Sequence, residues 1–200
     1  MSRTRLIVWR HGQTTWNASN RIQGHHDTDL DPTGVAQAAL AATALAALRP
    51  DAIVSSDLRR ASDTAAVLAS LTGLTVRFDP RLRERHFGTW QGLTNEEAER
   101  RHPQEYGRWR TGQPVDGCAV EEVDDLSKRA SAALRDAAEL APGGTVVAVG
   151  HGGSAKHGMV ALLGWPAMVL PGLGGLGNCR WIDLRSDTVR GWQLRGYNLV

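Results

Sequence analysis

Four short stretches of this chain hold residue types that together could move a phosphoryl group. The first is Arg10-His11-Gly12-Gln13-Thr14, followed by Trp16-Asn17, and it comes straight after the apolar run Leu6-Ile7-Val8-Trp9. A neutral, oriented imidazole is a competent covalent nucleophile. A guanidinium grips phosphate oxygens with a planar fork, and glycine lets an anion approach the backbone. The second stretch, Ser55-Ser56-Asp57-Leu58-Arg59-Arg60-Ala61, reads as a helix start, with Ser55 or Ser56 as the cap and Arg60 in the first turn. A helix N-terminus beside an arginine is a natural phosphate site. The third places Glu84 in a loop near Phe87 and Trp90, where apolar neighbours could keep a carboxyl protonated and ready to act as a proton donor. The fourth, Gly150-His151-Gly152-Gly153, delivers another histidine onto a glycine turn after Val146-Val147-Ala148-Val149. Each stretch alone also has a bland reading: a surface histidine, a capped helix, a solvated glutamate, a structural histidine.

The elements that must position these groups alternate. Short continuous apolar runs at 6–9, 52–54 and 146–149 read as strands buried on both faces, and 75–78 as a further strand. Asp31-Pro32 opens an Ala-rich helix that Pro50 ends, with Asp31 as N-cap and Pro32 as the first helical residue. A second helix over 58–71 closes at Gly73. Thr94-Asn95-Glu96-Glu97 matches a capping box and starts another. The segment 101–117 reads as a short helix and an irregular stretch. The region 123–140 reads as an amphipathic helix, a helix running to Leu163 follows His151, and 179–184 and 189–194 look like two late strands. The expected fold is α/β: a three-layer sandwich, with a mostly parallel sheet and helices on both faces. Ligands bind beyond the carboxyl ends of such strands, where all four stretches fall. One domain over 1–200 is expected, with a cap-like insertion around 81–123.

Bulk properties narrow the function classes. Hydrophobic residues make up 42% and charged residues 22% of the 200 positions, which excludes wholesale disorder. No apolar run is long enough to span a membrane, and the N-terminal run is too short for a signal-peptide core, so a cytoplasmic protein is expected. Of the cations only Lys128 and Lys156 are lysines, and the arginines are scattered without interleaved aromatics, so nucleic acid is not an expected partner. Cys118 and Cys179 are far apart and suggest neither a zinc site nor a disulfide scaffold. The histidines His11, His25, His26, His86, His102, His151 and His157 form no H-E-x-x-H motif, and no Asp-rich metal loop occurs.

The order R-H-G-x-T-x-W-N, then S-D-L-x-R-A-x-x-T-A, then L-R-E-x-x-x-G-x-W-x-G, then G-H-G-G resembles the histidine phosphatase superfamily, which includes the phosphoglycerate-mutase-like enzymes. The likeness runs from Leu6 to about Asn198. It implies that His11 becomes a phosphohistidine and that Arg10 and Arg60 clamp the phosphoryl oxygens, Arg60 being the arginine directly before Ala61. It implies His151 as a second pocket histidine with Gly152 beside it, Asn17 as a further phosphate ligand, and Gln23 and Gly24 lining the substrate pocket. Glu84 would protonate the leaving alkoxide and then deprotonate the attacking water. The implied enzyme is a phosphomonoesterase acting on a small-molecule phosphomonoester, with no cofactor and no metal. The alternative within the superfamily is a cofactor-dependent phosphoglycerate mutase, but His151 is followed by Gly-Gly-Ser-Ala-Lys-His-Gly and the span from Glu84 to His151 is short for one. A non-catalytic phospho-ligand binding module would lack the nucleophile, one arginine or the acid, and all are present. Within the superfamily, the stretches at 55–65, 82–94 and 170–181 resemble the glucosyl-3-phosphoglycerate phosphatases, whereas Asp116-Gly117-Cys118-Ala119-Val120-Glu121 departs from the G-G-E-S-like segment of such relatives. Trp109 or Trp165 could serve a subunit contact, so a homodimer is open.

Overall fold

The apolar run that precedes His11 forms the central strand β1, Arg5–Arg10. Its side chains alternate between two cores: Leu6 and Val8 enter one cluster, Ile7 and Trp9 the other. A strand so placed must be apolar at every position, which is why the run does not alternate in sequence. The structure, a computed structural model, describes residues 3–187 and 189–200; positions 1, 2 and 188 of the expected domain lie outside the described residues.

The further elements follow in chain order: α1 Thr15–Ala18, α2 Pro32–Ala46, β2 Ala52–Ser55, α3 Arg59–Thr72, β3 Val76–Phe78, α4 Asn95–Arg101, α5 Pro103–Arg110, α6 Val123–Ala138, β4 Thr145–Gly150, α7 Gly152–Leu162, β5 Trp181–Asp187 and β6 Gly191–Leu199. The sheet order is β3-β2-β4-β1-β5-β6. The first four strands are mutually parallel; β5 and β6 are antiparallel additions, so the sheet is mixed with a parallel majority. Helices α2 and α3 cover the Ile7 and Trp9 face, while α6 and α7 cover the Leu6 and Val8 face. The first late strand, β5, begins later than its sequence suggests because 177–180 is a turn that leads from the site into it, and β6 begins at Gly191, after a turn at 189–190, and runs on to Leu199.

Most start and stop signals act as read. Asp31 caps α2 by accepting from the Gly34 N–H at 2.8 Å, and Thr94 with Glu97 forms the capping box of α4. The second helix differs: its N-cap is Leu58, and neither Ser55 nor Ser56 caps it. Both serines are buried at the end of β2, where Ser56 serves His151 instead. The segment between β3 and α6 assembles its own apolar cluster of Trp90, Ala98, Tyr106, Val115, Cys118 and Val120, with Phe87 and Trp109 packed on it. Trp109 therefore belongs to this cluster, while Trp165 is 40% exposed.

One contact fixes where β1 ends. The turn after His11 lies on the first turn of α2 through two glycines. A Cβ on Gly34 would lie 2.0 Å from the Gln13 carbonyl oxygen, and one on Gly12 would lie 2.5 Å from the Gly34 oxygen. Both obstacles are backbone, so no rotamer relieves them. Gly34→Ala should therefore cost about 1–3 kcal/mol, as overpacking does, lowering Tm by about 2–4 °C per kcal/mol in a chain of this size. Gly107→Ala, in α5 with no atom within 4 Å of its Cβ, should instead gain up to about 1 kcal/mol of helix propensity. Thermal unfolding of the two variants checks the contrast; an unchanged Tm for Gly34→Ala would mean the turn yields freely.

Candidate active site

The carboxyl ends of β1, β2 and β4 converge on a cleft of about 430 Å³. Of the residues singled out from the sequence, Arg10, His11, Asn17, Gln23, Gly24, Arg60 and Glu84 line it. His151 is fully buried and packs behind His11, ring centroids 5.1 Å apart. Gly152 lies against Arg10; a Cβ there would sit 3.5 Å from Arg10 Nε.

His11 is oriented by its own backbone. Its Nδ1 is 2.7 Å from the Gly12 carbonyl oxygen. A carbonyl only accepts, so Nδ1 carries the proton and Nε2 keeps its lone pair. The turn is held by Thr64, whose hydroxyl accepts from the Gly12 N–H at 3.1 Å and donates to the Arg60 carbonyl at 2.7 Å. His151 is fixed in the complementary way. Ser56 Oγ accepts from the Leu58 N–H at 3.3 Å and stands 2.9 Å from His151 Nε2. Nε2 is the one acceptor in reach of the serine hydroxyl, so the hydroxyl donates to it and the proton of His151 rests on Nδ1, which has no acceptor in the protein. Burial, then the charges of Arg60 and Arg10, push His11 well below the ordinary imidazole range. Burial and then Arg60 do the same to His151. Both imidazoles are neutral at pH 7.

The two guanidinium groups are set in carbonyl cages. Arg60, 1% exposed, donates to the Gly24 carbonyl at 2.8 Å and the His26 carbonyl at 2.9 Å. Arg10 donates to the Leu176 carbonyl at 2.5 Å. Each keeps its buried Nε–H without an acceptor in the protein. Three buried donors near His11 (Arg10 Nε, Arg60 Nε and His151 Nδ1) thus lack a partner in the protein. Burial lowers the pKa of both arginines, that of Arg60 to about 10, and nearby Glu84 offsets part of this. Both remain cations at neutral pH.

Glu84 is held by donors rather than by apolar walls. Its Oε1 accepts from the backbone N–H groups of Arg85 at 2.8 Å and Ser154 at 2.9 Å; its Oε2 accepts from Gly153 N–H at 2.9 Å. Two of these are first-turn amides of α7, where the helix dipole favours negative charge. A Cβ on Gly153 would lie 2.5 Å from Glu84 Oε1, so only glycine admits the carboxylate here. Trp90, expected beside Glu84, is instead buried in the cluster of the 87–120 segment, and of the two expected neighbours only Phe87 shares the cleft with the carboxylate.

Asn17 is the N3 residue of a capping box on α1: its Oδ1 accepts from Thr14 N–H, and Thr14 Oγ1 accepts from Asn17 N–H, both at 3.1 Å. Gln23 Oε1 takes hydroxyls from Thr28 at 2.7 Å and Thr14 at 3.1 Å. Both amide oxygens are engaged, which leaves the NH₂ donors for the cleft.

Two contributors escape a residue-by-residue reading. Asn178, directly after the glycine-rich run from Gly172 to Gly177, lines the cleft and donates to the His11 carbonyl at 3.1 Å and Asn17 Oδ1 at 3.2 Å. Arg129, from the middle of α6, donates to the carbonyls of Arg81, Arg83 and Glu84 at 2.7–2.8 Å while its fork is paired with Glu121. In sequence it is one more arginine on an amphipathic helix.

No helix among the described residues is long and apolar enough to cross a membrane. The profile of the Histidine phosphatase superfamily (branch 1) matches residues 6–200. Glucosyl-3-phosphoglycerate phosphatase of Mycobacterium tuberculosis is 41% identical over 214 residues, covering 99% of this chain and 96% of that protein. Metal-independent phosphoserine phosphatase of Arabidopsis thaliana is 39% identical over 157 residues, 75% of this chain and 65% of that one. The structure of the mycobacterial glucosyl-3-phosphoglycerate phosphatase complexed with VO3 superposes with a TM-score of 0.88 at 39% identity, covering 98% of this chain and 99% of the other. The free donors around a neutral histidine, and these likenesses over essentially the whole length, lead to one conclusion: the chain belongs to the histidine phosphatase superfamily.

Proposed function

We propose that the chain is a phosphomonoesterase that works through a phosphohistidine at His11. The observation that carries this reading is the set of buried, unpartnered donors on Arg10, Arg60 and His151 around an imidazole whose Nε2 lone pair is free. Nε2 of His11 attacks phosphorus, and the ester oxygen leaves with the bonding pair. Arg10, Arg60 and His151 hold the phosphoryl oxygens, with Asn17 adding an amide donor; this electrostatic grip does most of the work in phosphoryl transfer. As the dianionic phosphate enters beside it, Glu84 takes up a proton from solvent; it gives that proton to the leaving alkoxide, then takes one from the water that attacks phosphohistidine. Gln23, Gly24 and Gly152 shape the pocket for the rest of the substrate. The segment 81–123 acts as a cap, since Phe87, Asn95 and Trp109 from it line the cleft. The substrate is a small phosphorylated metabolite of the glucosyl-3-phosphoglycerate kind, a reading supported by the 41% identity to a phosphatase of that name.

Nucleophile and acid separate by mutation. His11→Ala should abolish turnover of every ester. Glu84→Gln should lose about 10²–10⁴-fold on alkyl phosphates but keep a phosphoenzyme burst with p-nitrophenyl phosphate, whose leaving group needs little acid. Phosphohistidine should then accumulate as an acid-labile, base-stable label. Equal slowing of both bursts would remove Glu84 as the acid.

Arg129→Lys tests the support of that acid. Lysine keeps the charge but not the planar fork that spans three carbonyls and Glu121. Misplacement of about 1 Å costs up to about 10²-fold, and this should fall on alkyl esters while the p-nitrophenyl burst stays near wild type. A uniform loss on both would instead indicate damage to the phosphoryl clamp.

The neutral imidazoles also set a pH dependence of stability. His11 and His151 are held neutral in the fold, and burial pushes His157 to about 4. In the unfolded chain imidazoles titrate near about 6.5. Stability is therefore whole above that pH and is lost as pH falls toward the folded values, by up to about 1.4 kcal/mol per pH unit per histidine. Urea midpoints in phosphate-free buffer should drop as pH is lowered below about 6.5, and less steeply in His157→Phe. A flat profile would contradict a neutral pair.

A further inference from the structure

Away from the cleft, three metal-ligating side chains meet where the sequence offered no motif. His102, Glu105 and Cys118 place their ligand atoms within 4.8 Å of one another. His102 is the hinge residue between α4 and α5, Glu105 lies on the first turn of α5, and Cys118 comes from the loop before α6. The spacing hides them: His102 and Glu105 are three apart and so share a helix face, while Cys118 is supplied by the fold.

We propose that His102, Glu105 and Cys118 form a three-ligand zinc site with one position left to water. Cys118 Sγ and His102 Nδ1 are 3.6 Å apart. A tetrahedral zinc with Zn–S about 2.3 Å and Zn–N about 2.0 Å sets its sulfur and nitrogen ligands about 3.5 Å apart, so these two already stand at ligand spacing. One thiolate, one imidazole and one carboxylate suit a borderline-soft, four-coordinate ion and not the oxygen cages of magnesium or calcium. The charge also balances. Zn²⁺ with a thiolate, a carboxylate and a neutral imidazole is neutral overall, which matters because Cys118 is buried. On binding, the thiol proton passes to solvent and water fills the fourth position. The other cysteine is unsuited, since burial pushes Cys179 up to about 12.

The site's location gives it a role. Cys118 accepts through its carbonyl from the Thr89 N–H at 3.0 Å, next to the bridge between Phe87 and Val120. Helix α5 carries Trp109. Zinc would therefore tie together the two segments that bring Phe87 and Trp109 to the rim of the cleft, without touching the phosphoryl pocket. The competing reading is a plain Cys118 S–H···His102 hydrogen bond.

Cobalt(II) titration of the full-length, EDTA-treated and dialysed protein tests this. One equivalent should produce thiolate-to-cobalt charge-transfer absorption, displaced by one equivalent of zinc. The band should vanish in Cys118→Ser, weaken in His102→Ala and Glu105→Gln, and persist in Cys179→Ser. Zinc should raise the Tm of wild type and leave Cys118→Ser unmoved, while p-nitrophenyl phosphate turnover survives EDTA. Absence of a band at one equivalent, or a band indifferent to both His102→Ala and Glu105→Gln, overturns the site and leaves the hydrogen bond. Should Cys118→Ser not fold, Glu105→Gln, on the more exposed ligand, carries the comparison. Loss of turnover in EDTA would count against the metal-free phosphoryl transfer proposed above and would leave the cobalt result standing.

Discussion

Two guanidinium groups at the carboxyl edge of the sheet, Arg60 buried and Arg10 half-buried, each with a buried Nε–H unmatched by the protein, are the constraint on which the site rests. Burying a charge is costly unless it is hydrogen-bonded and paired. Here the carbonyls of Gly24, His26 and Leu176 satisfy part of Arg60 and Arg10, and Glu84 supplies a nearby negative charge. Complete satisfaction would have left nothing for a phosphoryl group. The positive field has a second effect, because it helps to drive His11 and His151 neutral. A nucleophile must be neutral to attack, so the same two arginines that suit a phosphoryl group would also keep the imidazole reactive.

The scaffold holds this arrangement by close backbone contacts. Strand β1 is locked by parallel pairing to β4 on one side and antiparallel pairing to β5 on the other. Its continuation turns against α2 where two glycines meet. The chain then returns through Asn178, which donates to the His11 carbonyl. His11 is therefore placed by main-chain geometry on three sides, and its ring has only to satisfy Nδ1.

Much of this was legible in the sequence because it lies in local signals. Continuous apolar runs mark strands buried on both faces, and each run ends on a chemical residue: Trp9 leads into Arg10 and His11, Val149 into Gly150 and His151. Asp31-Pro32 and the Thr94 to Glu97 box are similarly self-contained. What escaped depends on non-local partners. Ser56 looks like a helix cap, yet the strand end buries it against His151, 95 residues away. Glu84 beside Phe87 and Trp90 suggests an apolar setting, but which neighbours it meets is decided by α7, which brings two amides to it, and by Trp90 turning into its own cluster. Arg129 and Asn178 act through backbone carbonyls and a side-chain amide that no spacing rule links to them.

Glu84 and the 87–120 segment are held by different forces. Glu84 is tied to α7 through Gly153 and Ser154, and its loop is tied to α6 through Arg129. Those helices pack closely on each other, where Gly158 meets Ala130 and Leu134. Glu84 is therefore tied to the placement of α6 and α7. The 87–120 segment is held chiefly by its own apolar cluster around Trp90 and Tyr106, and it reaches the cleft with Phe87, Asn95 and Trp109. Side chains in that cluster can change without disturbing any hydrogen bond to His11, Arg10, Arg60 or Glu84. A fold built this way can exchange the group that surrounds the phosphate ester while the phosphoryl pocket stays fixed. The same division explains why the motifs locate the chemistry at once, while the stretch from Asp116 to Glu121, which lacks the G-G-E-S-like pattern, belongs to the part free to vary.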